Sequence, residues 1–525
     1  MNAHLESDMR AMNKPFSTRA LAGLIITASL ISGQAFAATP AGTLVIGKAA
    51  DPQTLDPAIT IDNNDWTVTY PAYQRLIRYK VENGKGSTQV EGDLAKSWKS
   101  SADGLTWEFK LKKGNKFDDG KNVTADAVKY SFERMVKAAQ GPSEAFPSDM
   151  VIEVVDPETV RFRLQKPFAP FLYTLANNGA SIVNPAVVEK QGAGYLAKAT
   201  AGSGPFRLSN WQKGQSLTLE PNPYYAGPKP SLKQVVVKII ADPSSRRLQL
   251  ENGDLDIAEE LPEDQLASLG KKPGVSVAAF PSLRVTYLYL NNRKGPMSDV
   301  NMRRAVSYAT DYNGIIKGVL KGNAKQMRGA IPEGMWGFDA KAMQYNMNMN
   351  KSKQLIDSAT SKGGTLNFVY STKDPNWEPI AISTQAALGA LGVKVKLENL
   401  ANATMRDRVG KGDYDIAIGN WSPDFADPYM FMNYWFDSEK EGLPGNRSYY
   451  KNPAVDKLVR EAASMTDQKK RTELYQKAQQ MAINDAGYVF LFQKNYQVGM
   501  SNKVKGFAFN PMLESVFNVD AIKKL

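Results

Sequence analysis

The stretch AKSWKSSADGLTWEFKLKKGNKFDDGKNVTADAVKYSFERM, residues 95–135, decides the fold. Apolar and polar side chains alternate through its centre, where the apolar members are Leu105, Trp107, Phe109 and Leu111. This period of two predicts a half-buried strand that turns at Gly114. Thr124 then caps a predicted helix that carries Asp126 in its first turn. The stretch therefore predicts a strand followed by a helix.

The alternation of strands and helices continues over the rest of the chain. Before the stretch, residues 43–49 read as a strand and residues 51–66 as a loop rich in Pro and Asp. After it, strands are predicted at 159–168, 216–225, 234–240, 365–370, 393–400 and 414–421, with longer helices from Arg284 onward. Short apolar strands between amphipathic helices are typical of an α/β fold.

The N-terminus carries the features of an export signal. Three basic residues precede an apolar run at 20–31, which ends in the small-residue site Ala-Phe-Ala at 35–37. A membrane helix needs about 20 apolar residues, so this run is too short to span a bilayer. We expect a signal peptide over residues 1–37, translated from Met1 or Met12, and a soluble mature protein in the periplasm. A lipid-anchored form would need a Cys at the mature N-terminus, and the chain has no Cys.

The composition excludes several classes of enzyme. The 525 residues include no Cys and one His, which is His4 and lies in the predicted signal. A mature chain without imidazole or thiol cannot run Ser-His-Asp or Cys-His hydrolysis or build the usual zinc sites. No P-loop or dinucleotide-binding motif is present. The basic residues are dispersed, although the net charge is +12, so we expect no nucleic-acid partner. We also expect no catalytic residue, metal or cofactor.

Residues 95–135 resemble the signature of the bacterial extracellular solute-binding proteins of family 5, which serve ABC importers of peptides, nickel and opines. Other matching segments follow in the family's order: DPQTLDP at 51–57, GSGPFRLSNWQKGQSLTLEPNPYY at 202–225, NMRRAVSYATD at 301–311, NWSPDFADPY at 420–429 and NPAVDKLVREA at 452–462. The resemblance implies a monomeric receptor that delivers a small-molecule or short-peptide ligand to permease subunits with cytoplasmic ATPases.

The resemblance also implies the architecture, an α/β two-lobe periplasmic binding protein with an extra subdomain inserted in lobe I. Lobe I would comprise residues 38–81, 202–281 and 495–525, and the inserted subdomain residues 82–201. Lobe II would comprise residues 282–494. Strands that cross between the lobes near 284 and 495 would form the hinge on which the lobes close over the ligand.

The predicted ligand site follows the strand at 414–421. In peptide-binding relatives an Asp at the position of Asp424 holds the α-ammonium of the ligand, a charge-assisted contact. The resemblance gives Trp421 the role of a pocket wall. It gives the backbone of Asn420 and Ser422 hydrogen bonds to an extended ligand, like an added strand. Asp427, before Pro428, is expected to be structural.

Two further regions are predicted to contact the ligand. Asp62 and Asn63 match a region that contributes main-chain and acidic contacts in oligopeptide-binding members, and Trp66 would face the cleft. Dipeptide-binding relatives place an Arg after the strand at 365–370, where this chain has Lys373. Lys373 would provide a point charge for a ligand carboxylate, without the bidentate fork of an Arg.

Three alternatives remain open from the sequence. In the first alternative, the chain is still a receptor but binds a non-peptide solute such as an opine, a sugar or a metal chelate. An exported hydrolase would use Asp424 and Asp427 as paired carboxylates. A chaperone or adhesin would have no small ligand.

Overall fold

The computed structural model describes residues 39–192, 194–361, 364–443 and 445–525. The predicted signal peptide, residues 1–37, lies outside the described residues. Among the helices of the described part, none has both the length and the apolar character needed to cross a membrane.

The described chain alternates strands and helices, as the sequence predicts. The strands are β1 (Thr43–Lys48), β2 (Ile77–Glu82), β3 (Lys85–Gly92), β4 (Ala95–Ser100), β5 (Thr106–Leu111), β6 (Val151–Asp156), β7 (Thr159–Arg163), β8 (Phe206–Gln212), β9 (Ser216–Pro221), β10 (Gln234–Ile239), β11 (Ile257–Ala258), β12 (Val275–Leu290), β13 (Ala324–Gln326), β14 (Thr365–Ser371), β15 (Lys394–Leu400), β16 (Ile416–Trp421), β17 (Tyr488–Ser501), β18 (Val504–Lys505) and β19 (Lys523–Lys524). The helices are α1 (Asn63–Ala72), α2 (Ala125–Ala138), α3 (Phe171–Thr174), α4 (Pro185–Gln191), α5 (Pro243–Asn252), α6 (Glu263–Leu269), α7 (Val300–Ala309), α8 (Tyr312–Gly314), α9 (Met349–Ser358), α10 (Trp377–Gly389), α11 (Asn402–Lys411), α12 (Tyr429–Phe436), α13 (Pro453–Ser464) and α14 (Gln468–Asn484).

One mixed sheet of 11 strands organises the fold. Its order is β15-β14-β16-β12-β17-β11-β1-β10-β9-β8, and β13 pairs with β17 off this path. Successive residues of β1 point to opposite faces. Leu44 and Ile46 lie in a core with Val235, whereas Val45 packs with Leu250 on the other face. Both faces of the sheet are therefore covered, which is why β1 is a continuous apolar run.

Two long antiparallel strands, β12 and β17, lie side by side in the middle of this sheet and join its two halves. β12 has 16 residues and β17 has 14, and they pair with each other along most of their length. The register is interrupted between Pro281 and Val285, opposite residues 493–495 of β17. Pro281 has no N–H to give to a ladder. The interruption falls where the sequence predicts the hinge, while the lobe boundaries themselves remain a prediction.

The stretch at 95–135 forms part of a separate sheet. β4, β5, β7 and β6 lie side by side in that order, and β5 begins at Thr106 as the alternation predicts. The segment around Gly120 is a turn, closed by a hydrogen bond from the Gly120 N–H to the Phe117 carbonyl. α2 begins after Thr124, whose side chain makes no capping hydrogen bond.

The loop predicted at 51–66 is shorter than expected, because α1 already begins at Asn63. Asp62 occupies the N-cap position, and its carboxylate accepts a hydrogen bond of 2.7 Å from the Asn64 N–H. An Asp in this position satisfies one of the free N–H groups of the first turn. Asp62, one of the residues whose type predicted a loop, is therefore the N-cap of a helix.

Candidate functional site

The predicted ligand residues Asn420 and Trp421 end strand β16. This strand pairs with β12 over its whole length, so that Thr286 lies opposite Asn420. On its other side β16 pairs with β14 only at Ile416 and Ala417. The backbone from residue 418 to 421 therefore has no strand partner on that side within the described residues. Such an edge can accept an extended peptide as an added strand.

Trp421 contacts a cation and an aromatic ring. The Arg447 guanidinium lies 5.3 Å from the centroid of the Trp421 ring, and the Tyr434 ring lies 5.8 Å from it. Arg447 donates to the Tyr289 hydroxyl at 2.9 Å and to the Leu443 carbonyl at 2.8 Å. No carboxylate pairs with this guanidinium among the described residues. Its positive charge is therefore held in place by neutral groups and remains available to an anion.

Asp424 carries a carboxylate without a partner. Its side chain is exposed, and no hydrogen bond or ion pair to it occurs in the described part of the chain. Loss of hydration still raises the pKa of Asp424 to about 6, and the charge of Glu144 adds to the shift. Solvent therefore reaches the Asp424 carboxylate although protein atoms surround it closely enough to weaken its hydration. Burial raises the pKa of Tyr434 to about 12, and the charges of Asp424 and Glu144 add to this shift. Tyr434 therefore lies near Asp424.

The loop that presents Asp424 is anchored on both sides. The Asn177 amide donates to the Asp424 carbonyl at 2.9 Å, and the Trp336 indole N–H donates to the Ala426 carbonyl at 2.8 Å. These contacts fix the backbone and leave the Asp424 carboxylate free.

Asp427 has the structural role that the sequence predicts. Its two carboxylate oxygens accept hydrogen bonds of 2.7 and 2.8 Å from Arg471, and both side chains are almost fully buried. Oδ1 also accepts the Tyr429 N–H at 2.9 Å. With its oxygens engaged in this way, Asp427 is poorly placed to act with Asp424 as the carboxylate pair of a hydrolase.

The second predicted group lies at the start of α1. Asp62 caps the helix, while Asn63 and Trp66 are half-buried. Asn63, Trp66 and Tyr70 follow the three- and four-residue spacing that puts side chains on one helical face. The Trp66 indole N–H and the Tyr70 hydroxyl are buried without hydrogen-bond partners. This face of α1 therefore offers polar groups that a ligand can satisfy.

One short segment connects the two predicted groups. Gly141 approaches Ile61 so closely that a Cβ at Gly141 would lie 3.0 Å from the Ile61 Cγ2. Three residues later, Glu144 is near enough to Asp424 to raise its pKa. Within the described residues no hydrogen bond joins Asp62 or Asn63 to Asp424.

Lys373 lies beside the other end of the site. It is exposed and lines a small cavity of about 60 Å³ with Asn420 and Arg447. The same cavity is lined by Arg406 and by Trp377, whose indole N–H is buried without a partner. Three cations and no carboxylate surround this space. Sequence reasoning found Lys373 but missed Arg447 and Arg406, because no motif marks them as neighbours of β16.

Comparison with known proteins identifies the family. Residues 89–442 match the model described as "Bacterial extracellular solute-binding proteins, family 5 Middle". The chain belongs to this family. It is 64% identical over 494 residues, 93% of this chain and 96% of the relative, to the probable D,D-dipeptide-binding periplasmic protein DdpA of Escherichia coli (strain K12). It is 28% identical to the dipeptide-binding protein of the same organism, over 92% of this chain and 95% of that protein.

Solved structures show the same fold. The periplasmic binding protein DppA from Helicobacter pylori, in complex with the peptide STSA, matches with a TM-score of 0.75 at 29% identity, over 92% of this chain and 98% of that chain. HbpA2 from Haemophilus parasuis matches with a TM-score of 0.83 at 26% identity, over 92% of this chain and all of that chain. The predicted family and the α/β two-lobe fold class of this solute-binding protein are thus confirmed.

Proposed function

We propose that this chain is the periplasmic substrate-binding component of an ABC importer and that its ligand is a dipeptide. The observation that carries the proposal is the unpartnered Asp424 carboxylate, three residues after Trp421, together with the Arg447 guanidinium, which contacts Trp421 and pairs with no carboxylate among the described residues. A zwitterion with an ammonium and a carboxylate group complements this pair of charges. The names of the 64% and 28% identical relatives support a dipeptide, and the first of them supports the D,D configuration.

In this proposal Asp424 holds the ligand ammonium and Trp421 forms a wall of the pocket. The backbone of Asn420 and Ser422 bonds the peptide main chain, and Arg447 with Lys373 takes the carboxylate. Asn63, Trp66 and Asp62 complete the opposite wall, which belongs to lobe I with the boundaries predicted above. Closure about the register interruption in β12 buries the ligand, where each polar contact is stronger than in water.

The remaining parts of the proposal follow from family membership. The protein would work as a monomer without catalysis, metal or cofactor, and it would hand the ligand to permease subunits driven by cytoplasmic ATPases. The periplasmic relatives support export by the predicted signal at 1–37.

Titration calorimetry with two stereoisomers tests the ligand class. We expect D-alanyl-D-alanine to bind the protein at a single saturable site, and more tightly than L-alanyl-L-alanine. Preference for the L,L form would contradict the D,D assignment and retain the dipeptide. Binding of neither isomer, together with a sugar or metal chelate that co-purifies from the periplasm, would contradict the dipeptide itself.

The raised pKa of Asp424 predicts pH-dependent binding. An ammonium needs the ionised carboxylate, so below a pH of about 6 the ligand must compete with a proton. Affinity should stay constant between this pH and about 7, where the ligand ammonium is still charged, and fall about tenfold for each pH unit well below it. Calorimetry at a series of pH values around 6 measures the pH at which the affinity begins to fall, which is the midpoint of the Asp424 titration. In Glu144→Gln the midpoint should move to lower pH, because the Glu144 charge contributes to the shift, and an unmoved midpoint would contradict this cause.

The Arg447 contact is tested with a blocked ligand. Arg447→Met should reduce the affinity for a dipeptide with a free carboxylate about tenfold or more, since one charge-assisted contact is lost. The C-terminal amide of the same dipeptide should bind native protein and variant equally. If the variant weakens both ligands by the same factor, Arg447 supports the site through its packing on Trp421 and does not hold the carboxylate.

A further inference from the structure

A separate cavity of about 330 Å³ lies between α1, the β2–β3 hairpin and the C-terminal segment 508–521. Its apolar lining includes Pro71, Leu513, Val516 and Phe517. This volume is in the range of small-molecule pockets, which combine mostly apolar walls with a few placed polar groups. None of the residues predicted from the sequence lines it.

Arg75 is the unusual member of this lining. The residue is 3% exposed, and its Nε and Nη1 groups have no hydrogen-bond partner. The Tyr70 ring lies 3.7 Å from the guanidinium and fixes its plane. Asp93 is 4.0 Å from Nη2, too far for a hydrogen bond. A buried guanidinium with free N–H groups is costly unless something accepts from it.

Two of the acids that line the cavity, Asp93 and Glu91, are already engaged. The Asp93 oxygens accept from the Gln74 amide at 2.8 Å and from the Arg75 backbone N–H at 2.9 Å. Glu91 accepts from Arg78 at 2.8 Å. Asp520 also lines the cavity, and burial raises the pKa of its carboxyl, but no hydrogen bond or ion pair joins it to Arg75 in the described part of the chain. The Arg75 Nε and Nη1 donors therefore stay unsatisfied.

Further unsatisfied donors line the same space. The Tyr70 and Tyr79 hydroxyls and the Asn510 amide nitrogen are buried without partners. With Arg75 they form a group of buried donors to which no acceptor is bonded in the described chain, although Gln74 Oε1 in the same lining is an acceptor without a partner. A ligand group that accepts several hydrogen bonds complements these donors.

The cavity adjoins the proposed ligand site. Burial raises the pKa of Tyr79 well above its usual value, and the charges of Tyr70 and Asp424 add to this shift. Tyr79 is therefore a neighbour of Asp424. Tyr70 lies on the α1 face that carries Asn63 and Trp66.

We propose that the Arg75 cavity is a specificity pocket that receives a carboxylate-bearing side chain from the first residue of a bound dipeptide. The inference rests on the proposed function, because Asp424 must hold the ammonium of that residue. The Arg75 guanidinium, with the Tyr70 and Tyr79 hydroxyls and the Asn510 amide, donates to the carboxylate. The methylene groups of the side chain lie against the apolar lining.

Calorimetry with three ligands of one configuration tests the pocket on native protein. The affinity for glutamyl-alanine should be at least about tenfold higher than that for leucyl-alanine, since a charge-assisted contact is gained. Glutaminyl-alanine, which is isosteric with the first, should fall between them. Equal or tighter binding of leucyl-alanine would overturn the proposal.

Variants assign the preference to Arg75. Arg75→Lys retains a charge near Asp93 but loses the guanidinium donors, and Arg75→Met loses both. Each should bring the affinities of glutamyl-alanine and leucyl-alanine closer together while alanyl-alanine binds as before. Arg78→Met is the matched control, because Arg78 lines the same cavity but is paired with Glu91. The ratio of its affinities for glutamyl-alanine and leucyl-alanine should equal that of the native protein. A ratio unchanged in both Arg75 variants would contradict the assignment.

The failure of the proposed function is distinguishable from the failure of the pocket. If no dipeptide binds, the proposed function is wrong, and glutarate then tests the cavity alone. A rise in Tm with glutarate that Arg75→Met abolishes would support a carboxylate site. An equal response of native protein and variant would overturn it.

Discussion

Replacing Asp424 by Asn should reduce the affinity for a dipeptide about 30-fold or more. Removal of one partner from a charge pair that is shielded from water typically costs about 2 kcal/mol or more. The carboxylate is without a partner in the described chain and is held by a fixed backbone, so its charge is available to the ligand ammonium. Titration calorimetry near neutral pH, where Asp424 is ionised, measures the loss.

Two controls separate this contact from general damage. Ser422→Ala removes an exposed side chain two residues away, which is proposed to act through its backbone, and should bind as the native protein does. An N-acetylated dipeptide has no ammonium, so it should bind native protein and Asp424→Asn equally weakly. If Asp424→Asn keeps native affinity for the free dipeptide, Asp424 does not hold the ammonium.

The Asp424→Asn variant should also be at least as stable as the native protein at neutral pH. Burial raises the pKa of the Asp424 carboxyl in the folded state above the usual Asp value of 3.8. Between about 4 and 6 the folded protein therefore binds more protons than the unfolded chain, and this group's contribution to stability falls as pH rises through that window. A lower denaturation midpoint for the variant at neutral pH would show that the carboxylate has a structural role.

The largest effect on stability is expected at the ion pair beneath the site. Arg471→Met should lower the free energy of unfolding by about 3 to 5 kcal/mol, since it leaves the Asp427 charge buried without its cation. The exposed fractions of the two side chains are 3% and 0%, and the guanidinium also lies 4.9 Å from the Trp336 ring centroid. Denaturant unfolding measures the loss.

A surface pair provides the comparison. The side chains of Arg163 and Glu153 are 49% and 35% exposed, and Arg163→Met should cost no more than about 1 kcal/mol. The double variant Arg471→Met with Asp427→Leu should recover part of the loss, because no unpaired charge remains. A loss in Arg471→Met as small as in Arg163→Met would mean that the buried pair does not anchor the loop.

The sequence predicts those features that depend on local pattern. The alternation at 105–111 predicts β5, and the apolar run at 414–421 predicts β16 with Asn420 and Trp421 at its end. The hydrogen bond that Asp427 accepts from the Tyr429 N–H is a local contact of the kind expected before Pro428, whereas its buried pair with Arg471 is not visible in the local sequence. For each feature that the sequence predicts, the deciding residues are neighbours in the chain.

The residues that the sequence does not reveal are brought together by distant contacts. Arg447 reaches Trp421 because it donates to Tyr289, which lies on β12, the neighbour of β16 in the sheet. Arg75 lies in a stretch that reads as ordinary amphipathic sequence, and its burial requires the C-terminal segment to close the cavity. Burial of a charge depends on tertiary packing, which a local pattern does not encode.

Titration of native protein with D-alanyl-D-alanine at neutral pH, repeated with Asp424→Asn, tests whether the chain is a dipeptide receptor that holds the ligand ammonium at Asp424. We predict one saturable site per chain in the native protein and an affinity at least about 30-fold lower in the variant. The absence of saturable binding to native protein, or equal affinities of the two proteins, would contradict this prediction.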